Sequence, residues 1–414
     1  MLSPTTCPPT VSQPALTSGF EVWSAILTGA TDYWTQAMTR QATPLDVARD
    51  GMQWWTEMLR RREPTWSSPN EIVFETPVLR LRDFSDGTRD RVVPTLVLPP
   101  QAGHSSCIVD YSERQSQMEA VRAAGLTRAY ALDWVGATQA TKHSTVDDYL
   151  AGIERAVEEM GAPVNLVGDC QGGWLATIYA ALHPEQIHTL TIAGAPIDFH
   201  AGDAMIHGYV QLFDQSFDMA FYRAVVAMGN GLMKGEFMLN GFITMKPQDE
   251  VAKQIGLLSH LDDPEHLERY RPFEDWFKHT QDISGDFYLW IVEHLFRDNK
   301  LIKGELEIGG ERADMRRISC PVNLLAGATD HITPPAQVFR AADFVSTPAE
   351  QITERTTSGG HLGLFMGREA LRDYWPPILA DVAVRSKQGA QRAPAQRRAK
   401  AATPRGRGPE IPIP

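Results

Sequence analysis

Long apolar runs are missing from this chain of 414 residues. No stretch approaches the roughly 20 apolar residues that a membrane-spanning helix needs, so we expect a soluble protein without a membrane span. The first 18 residues contain no basic residue ahead of an apolar segment, and a secretory signal is therefore not expected. The hydrophobic fraction of 43% is ordinary for a globular protein and argues against a chain that is disordered throughout.

Cysteine is scarce, and the four residues Cys7, Cys107, Cys170 and Cys320 lie far apart. Their spacing fits neither a disulfide framework nor a metal site. The sequence also lacks the Gly-x-Gly-x-x-Gly and P-loop motifs that bind nucleotides. We therefore expect no cofactor, no metal and a reducing, cytoplasmic setting.

The net charge of −12 is unevenly spread along the chain. From Arg385 to the end, eight Lys or Arg residues stand against Glu410 alone, so the rest of the chain is strongly acidic. An acidic body argues against nucleic acid as the main partner. The tail is rich in Ala, Pro, Gly, Gln and Arg, which predicts disorder. Adhesion to an anionic surface or an acidic partner is the functional alternative for this tail.

The stretch around Cys170 has the pattern of a strand, a sharp turn and a helix. An apolar, β-prone run that begins at Val164 ends in Gly168-Asp169-Cys170-Gln171-Gly172, and a helical pattern follows from Trp174. This order is the nucleophile elbow of an α/β-hydrolase, with sulfur in place of the usual serine hydroxyl. The two elbow glycines, Gly168 and Gly172, allow the backbones to pass closely, and the helix dipole favours a thiolate. Taken alone, the motif also fits a buried structural cysteine.

An acid and a histidine follow the nucleophile in the order typical of α/β-hydrolases. Asp330 and His361 each come just after a predicted strand, and a parallel sheet places such loops on one edge. In this interpretation His361 accepts the proton of the Cys170 thiol, and Asp330 orients the imidazole. Three candidate catalytic residues in this order make coincidence a poor explanation.

The predicted oxyanion hole has two backbone donors. One is the N–H of Gln171, and the other comes from the loop after an early strand, within Gly103 to Ser105, with His104 near the site. Two neighbours of the triad are accessory candidates. His331 is expected to be a locally hydrogen-bonded loop residue, whereas Asp169 either disfavours the thiolate or points away from it.

The order of predicted elements indicates an α/β-hydrolase fold, a mostly parallel central sheet flanked by helices. Ile72–Leu81 and Arg91–Leu98 are predicted as two early strands joined by a polar, hairpin-like connection. A tryptophan-rich N-terminal segment is expected to pack one apolar face on the main domain, or else to present that face to a partner or a polymer particle. The predicted divisions are a disordered N-terminus (1–18), an N-terminal helical segment (19–66), the first part of the core (67–198), a helical cap (199–300), the second part of the core (301–384) and a basic disordered tail (385–414).

Several motifs between about Ile72 and Asp381 resemble the polyhydroxyalkanoate synthases, especially the short synthases whose catalytic subunit needs a second subunit. Besides the elbow, the resemblance is carried by Thr145–Tyr149, Ala181–Glu185, Asn299–Gly310, Thr329–Pro335 and Ser358–Gly363. The resemblance implies that Cys170, Asp330 and His361 are catalytic. It also implies that 3-hydroxyacyl-CoA units are joined into polyester on the cysteine without a cofactor. A homodimer or a second subunit is the implied assembly.

Two features depart from the synthase pattern. The synthases usually carry an asparagine near Gly103-His104, and this loop is more similar to that of intracellular polyhydroxyalkanoate depolymerases. Gly363–Arg368 and the N-terminal helices also resemble the depolymerases. Those enzymes, however, place proline where this chain has Gly172. We therefore predict an acyltransferase. The alternatives are a hydrolase of the same polyester or of a related ester or thioester, and a weakly catalytic protein that binds the surface of polyester granules.

Overall fold

The structure is a computed structural model and describes residues 14–87 and 91–401. Its strands, in chain order, are β1 (Glu71–Glu75), β2 (Leu79–Asp83), β3 (Thr95–Leu98), β4 (Asp110–Ser112), β5 (Gln115–Ser116), β6 (Ala129–Trp134), β7 (Val164–Asp169), β8 (Ile187–Ala193), β9 (Leu232–Met233), β10 (Ile283–Ser284), β11 (Glu307–Ile308), β12 (Glu311–Arg312), β13 (Val322–Gly327) and β14 (Ile352–Thr357).

Eight of these strands form the central sheet in the order β1-β2-β6-β3-β7-β8-β13-β14. The six strands from β6 to β14 in this order run parallel, while β1 and β2 are antiparallel to their neighbours. The interior strands β3, β7 and β13 are buried along their whole length, as expected for a sheet covered on both faces. The predicted α/β-hydrolase fold is confirmed.

The early strands differ from their prediction. Ile72–Leu81 divides into β1 and β2, which pair with each other in an antiparallel ribbon. Strands β2 and β3 are not hairpin partners, because β6 lies between them and pairs with both. The polar connection after Asp83 therefore crosses to another position in the sheet. Composition identifies such a connection as a loop, but it does not determine which strands the loop joins.

The helices, in chain order, are α1 (Pro14–Thr39), α2 (Pro44–Met58), α3 (Gln117–Ala123), α4 (Val146–Met160), α5 (Gln171–Leu182), α6 (Met205–Phe217), α7 (Ala220–Met228), α8 (Gly235–Met245), α9 (Pro247–Leu258), α10 (Pro264–Lys278), α11 (Gly285–Trp290), α12 (Lys300–Lys303), α13 (Pro335–Phe339), α14 (Gly363–Met366) and α15 (Trp375–Ala401). Two π-helical segments, Ile291–Arg297 and Ala370–Tyr374, continue from or lead into α-helices. None of the described helices has both the length and the apolar character needed to cross a membrane.

Helix α5 follows the elbow and is buried at every position. Its composition explains this environment, because apolar and small residues cover all of its faces. Helix α4 instead buries one face and exposes charged residues on the other, as is typical of an amphipathic helix at a protein surface. The elbow therefore begins a helix that is enclosed by the core.

The described chain divides into two compact units. One contains the described residues up to Pro64 together with residues 236–280, and the other contains those from Thr65 to Gly235 and from Gln281 onward. The predicted cap at residues 199–300 is thus shared between the units, and the predicted N-terminal segment groups with residues 236–280. These limits differ from the predicted divisions because the grouping follows the packing of α1 and α2 on α9, which sequence order does not reveal.

The smaller unit has its own apolar cluster and buried polar contacts. Trp54 packs against the cluster that contains Leu257 and Tyr270, and its indole N–H donates to the carbonyl oxygen of Gln254 at 2.8 Å. Arg60 makes two hydrogen bonds, of 2.9 and 2.7 Å, to the carboxylate of Asp275. These contacts join parts of the chain that are about 200 residues apart.

Helices α1 and α2 also leave large apolar side chains exposed. Eight such residues, each at least 52% exposed, are Trp23, Leu27, Trp34, Met38, Leu45, Met52, Trp55 and Leu59. Their spacing of three, four or seven residues places them along one stripe of each helix. The expectation that the apolar face of this segment is covered is therefore wrong for these residues.

The C-terminal helix continues past the predicted start of the disordered tail. Helix α15 extends to Ala401, and Ser386 is fully buried, with its hydroxyl 2.6 Å from the side-chain nitrogen of Asn165. The prediction of disorder from residue 385 is wrong at Ser386, because a small polar residue here meets a buried amide of the sheet. Residues 1–13 and 402–414, which belong to the predicted disordered ends, lie outside the described residues.

Candidate active site

Cys170 occupies a sharp turn between β7 and α5. Its backbone has φ 50° and ψ −118°, a conformation that is strained for a residue with a side chain. A methyl group added at Gly172 would overlap the carbonyl oxygen of Leu98, and one at Gly168 would lie 2.6 Å from the carbonyl oxygen of Gly172. Both elbow glycines are therefore required by close backbone approach, as the motif predicts.

Asp330 lies in the loop after β13, which is the parallel neighbour of β14. One of its carboxylate oxygens accepts hydrogen bonds from the backbone N–H groups of Ile332 and Thr333, both at 2.9 Å. The other oxygen lies 2.7 Å from Nδ1 of His361. Because the first oxygen is held by the backbone, the second is directed at the imidazole.

His361 lies in the loop after β14 and is only 7% exposed. Because Nδ1 of His361 contacts Asp330, Nε2 is the ring nitrogen left for a proton exchange with Cys170. Burial by itself would lower the pKa of His361, but the negative charges of Cys170 and Asp330 and the hydrogen bonds to both raise that pKa well above its ordinary value. The structure thus joins His361 to Asp330 by a hydrogen bond and places the imidazole within electrostatic reach of Cys170. This arrangement can hold an imidazolium beside a thiolate.

The loop proposed as an oxyanion donor lies beside the elbow. Leu98 ends β3 opposite Gly168 of β7, so the chain that continues to Gly103 and His104 starts next to the Cys170 turn. His104 is 7% exposed, and its Nδ1 lies 3.3 Å from the carbonyl oxygen of Ala102. Gln171, the first residue of α5, is also buried. The role of these backbone N–H groups stays a prediction.

Asp169, the residue before the nucleophile, is completely buried. Its Oδ1 accepts from the side-chain amide of Gln117 at 3.3 Å, while its Oδ2 has no hydrogen-bond partner among the described residues. Burial raises the pKa of Asp169 to about 8, against opposing effects from the Gln117 hydrogen bond and the charge of His361. A neutral carboxylic acid at this position places no negative charge next to Cys170 at neutral pH.

Replacing Asp169 with asparagine should change stability in a pH-dependent way. The pKa of this carboxyl group is raised from 3.8 to about 8 on folding, so its stabilising contribution is complete below about pH 4 and is lost as the pH rises through about 8. We expect Asp169→Asn to exceed the wild type in stability by only about 1–2 kcal/mol at about pH 5 and by several kcal/mol at about pH 9. Urea unfolding at both pH values measures this difference. The exposed Asp147→Asn control should show no such pH dependence, and an equal effect of Asp169→Asn at both pH values would contradict the expectation.

His331 lies directly after Asp330 in the same loop. Its carbonyl oxygen accepts from the backbone N–H of Met205 at 3.1 Å, so the loop is tied to the start of α6. The hydrogen bond between Asp330 and His361 involves no atom of this residue. A local structural role for His331 stays a prediction.

The other described thiols are chemically distinct from Cys170. Burial raises the pKa of both Cys107 and Cys320 to about 12, so neither ionises appreciably near neutral pH. Cys170 is partly exposed and acts on His361, whose pKa it helps to raise. We expect iodoacetamide to alkylate Cys170 at least about 10-fold faster than either Cys107 or Cys320.

Peptide mass spectrometry of the Cys7→Ala variant measures these rates, because Cys7 lies outside the described residues and its signal is removed. The Cys170→Ala form of the same variant is the control, and its slow labelling should be confined to Cys107 and Cys320. Equal labelling rates at Cys107 and Cys170 would remove the distinction between a reactive and a structural cysteine.

The described residues contain no group of three or more His, Cys, Asp or Glu that could hold a metal ion. The expectation that the chemistry needs neither metal nor cofactor stays a prediction.

Sequence reasoning missed two groups of residues that support the site. One is the pair of backbone N–H groups at Ile332 and Thr333, which hold the carboxylate of Asp330. The sequence marks Thr329–Pro335 only as a motif of the family resemblance. The other is Gln117, which reaches Asp169 from α3. A separation of 52 residues leaves no periodic signal for such a pair.

Curated relatives of this chain confirm the predicted resemblance to the synthases. The "Poly(3-hydroxyalkanoate) polymerase subunit PhaC" of Allochromatium vinosum is 28% identical over 323 residues, 76% of this chain and 88% of that protein. The protein of the same name from Haloferax mediterranei is 27% identical over 337 residues, 79% of this chain and 66% of that protein.

A solved structure, the monoacylglycerol lipase of Paleococcus ferrophilus, is 19% identical and covers 74% of this chain and 99% of its own, with a TM-score of 0.46. Residues 77–372 match the family described as "Protein of unknown function (DUF3141)". Since that match spans well over half of the sequence, the chain belongs to this family.

Proposed function

We propose that this protein is an acyltransferase of the polyhydroxyalkanoate synthase type, which forms polyester from 3-hydroxyacyl-CoA through an acyl-Cys170 intermediate. The observation that carries the proposal is the hydrogen bond between His361 and Asp330 after neighbouring parallel strands, together with the raised pKa of His361 to which Cys170 contributes. Relatives named as poly(3-hydroxyalkanoate) polymerase subunits, aligned over about three quarters of the chain, support the choice of substrate.

The first half-reaction loads the cysteine. Nε2 of His361 takes the proton of the Cys170 thiol, and the thiolate attacks the carbonyl carbon of the acyl-CoA thioester. The carbonyl oxygen then carries negative charge, which the backbone N–H of Gln171 and one from Gly103–Ser105 stabilise. The bond to the coenzyme A sulfur breaks, and this sulfur leaves as a thiol with the proton that His361 returns. Asp330 lies at Nδ1 of His361 during this step, but loading requires only the proton transfers between Nε2 and the two sulfur atoms.

The second half-reaction lengthens the chain. The hydroxyl group of a further hydroxyacyl unit attacks the acyl-Cys170 carbonyl, while the base formed by His361 and Asp330 takes the hydroxyl proton. An ester bond forms, and the Cys170 thiolate is released for the next cycle. Water can attack the same intermediate, so exclusion of water decides between polymer and free acid.

A hydrolase of the same polyester, or of a related ester or thioester, is the second candidate. The observation in its favour is the Ala102-Gly103-His104 loop, whose histidine is buried beside the elbow instead of the asparagine usual in synthases. The retained Gly172, where depolymerases place proline, favours the synthase.

Partners of two kinds are part of the proposal. The relatives are named as subunits, which favours a homodimer or a complex with a second synthase subunit. The exposed apolar stripes of α1 and α2 favour contact with an apolar surface such as a polyester granule in the cytoplasm. A weakly catalytic granule-binding protein would use the same stripes to bind the granule surface, with little acyl transfer at Cys170.

One assay separates these candidates. Purified protein is incubated with 3-hydroxybutyryl-CoA, and free coenzyme A, soluble 3-hydroxybutyrate and insoluble polymer are measured together. Coenzyme A release with polymer is the expected result. Release with only free acid would identify a hydrolase, and granule binding without any release would identify a binding protein.

A further inference from the structure

The segment 236–280 leaves and rejoins the larger unit through a short paired structure, here called the stem (residues 232–235 and 281–284). Strands β9 and β10 form its base, with Ile283 paired to Met233 and Ser284 paired to Leu232. The hydroxyl oxygen of Ser284 lies 2.8 and 2.6 Å from the carbonyl oxygens of Lys142 and Ser144, which share its one proton. The stem is therefore anchored in the larger unit.

Asp282 joins the two sides of the stem. One carboxylate oxygen lies 2.7 Å from the ammonium group of Lys234, and the other accepts from the backbone N–H of Gly235 at 3.1 Å. The carbonyl oxygen of Asp282 accepts from the N–H of Ala137 at 2.8 Å. The side chain of Asp282 thus holds the residues that lead out of the larger unit, Lys234 and Gly235. The backbone of Asp282 is in turn bonded to the loop after β6.

Gln281, which precedes Asp282 in the stem, contacts the proposed oxyanion loop directly. The backbone N–H of Gln281 donates to the carbonyl oxygen of Gly103 at 2.8 Å. That carbonyl belongs to the same peptide unit as the N–H of His104. Because a trans peptide is planar, its C=O and N–H point in opposite directions, so fixing the carbonyl of Gly103 also fixes the direction of the His104 N–H.

We propose that Asp282 is a positioning residue for the oxyanion hole, acting through Gln281 on the peptide between Gly103 and His104. This inference rests on the proposed acyl transfer at Cys170. Asp282 closes the stem, the closed stem places the Gln281 N–H, and that N–H holds the His104 N–H in the direction needed to receive the developing oxyanion. Loss of an oxyanion donor reduces turnover by about 100- to 1,000-fold, and loosening one should cost less.

The test compares Asp282→Ala with Asp286→Ala. Asp286, four residues after Asp282, is a matched control. Its replacement also removes a side-chain contact, an exposed one with His143 at 3.0 Å. Two rates are measured, acyl transfer from 3-hydroxybutyryl-CoA and alkylation of Cys170 by iodoacetamide. Alkylation requires the thiolate but forms no oxyanion, so it reports on Cys170 and His361 alone.

We expect Asp282→Ala to slow acyl transfer by about 10- to 100-fold, mainly through kcat, with the alkylation rate of Cys170 unchanged. Asp282→Asn keeps an acceptor for the Gly235 N–H and should lose less. Asp286→Ala should match the wild type in both rates. Unchanged acyl transfer in Asp282→Ala, or an equal fall in both rates, would overturn the proposal.

Hydrogen–deuterium exchange tests the same inference without a substrate. In Asp282→Ala, exchange should increase in the peptide containing residues 101–105 and in the stem, and stay unchanged in α5. Unchanged exchange at 101–105 would overturn the positioning role. If the wild type transfers no acyl group, the proposed function fails, and the exchange result still decides whether Asp282 controls this loop.

Discussion

Replacing Cys170 with alanine is expected to reduce coenzyme A release from 3-hydroxybutyryl-CoA by at least about 1,000-fold, because the variant has no atom that can form the covalent intermediate. Cys170→Ser should retain little activity, since a hydroxyl is far less ionised than a thiol near neutral pH. The release of coenzyme A is measured with a thiol reagent after removal of the protein. Both substitutions change one partly exposed side chain, so the fold should persist.

The matched control is Cys320→Ala, which removes a thiol outside the site. Its activity should remain near that of the wild type, and thermal unfolding of all three variants should stay cooperative. An active, folded Cys170→Ala protein would show that the elbow cysteine is structural, which is the other interpretation of the motif.

Replacing Asp330 with asparagine is expected to separate loading from chain growth. In a synthase the acid helps to activate the incoming hydroxyl, so Asp330→Asn should still load an acyl group on Cys170 while polymer formation falls by roughly 100-fold or more. The backbone bonds from Ile332 and Thr333 can be accepted by the amide oxygen, which keeps the side chain in place. Rapid mixing followed by mass spectrometry measures loading and growth separately.

His361→Ala provides the comparison, because it removes the base that both steps need. That variant should lose loading and growth together. Equal loss of both steps in Asp330→Asn would instead favour the hydrolase, in which the acid orients His361 for acylation and deacylation alike.

The sequence alone predicts the central part of this site because its signals are local. The elbow is a strand, a strained turn and a helix within about 20 residues, and its glycines are required by contacts of the turn itself. Asp330 and His361 are recognisable because each follows a strand and because parallel neighbours end at one edge. Predicted strands and chain order are sufficient to propose these three residues as one site.

Features that depend on distant contacts were not predictable in this way. The position of β6 between β2 and β3 is a property of the sheet, and a loop composition cannot specify it. Gln281 lies 178 residues after Gly103, and its role depends on a backbone N–H that every non-proline residue has. The helical continuation through Ser386 likewise depends on a buried partner, Asn165, from the middle of the sheet.

The most direct test is to identify the residue that carries the acyl group. Wild-type protein is mixed with 3-hydroxybutyryl-CoA, quenched in acid within a single turnover, digested and analysed by mass spectrometry. We predict one 3-hydroxybutyryl group on the peptide that contains Cys170, formed at the rate at which coenzyme A is released and absent from Cys170→Ala. Release of coenzyme A at that rate with Cys170 unmodified, or with the acyl group on another residue, would contradict nucleophilic catalysis by Cys170.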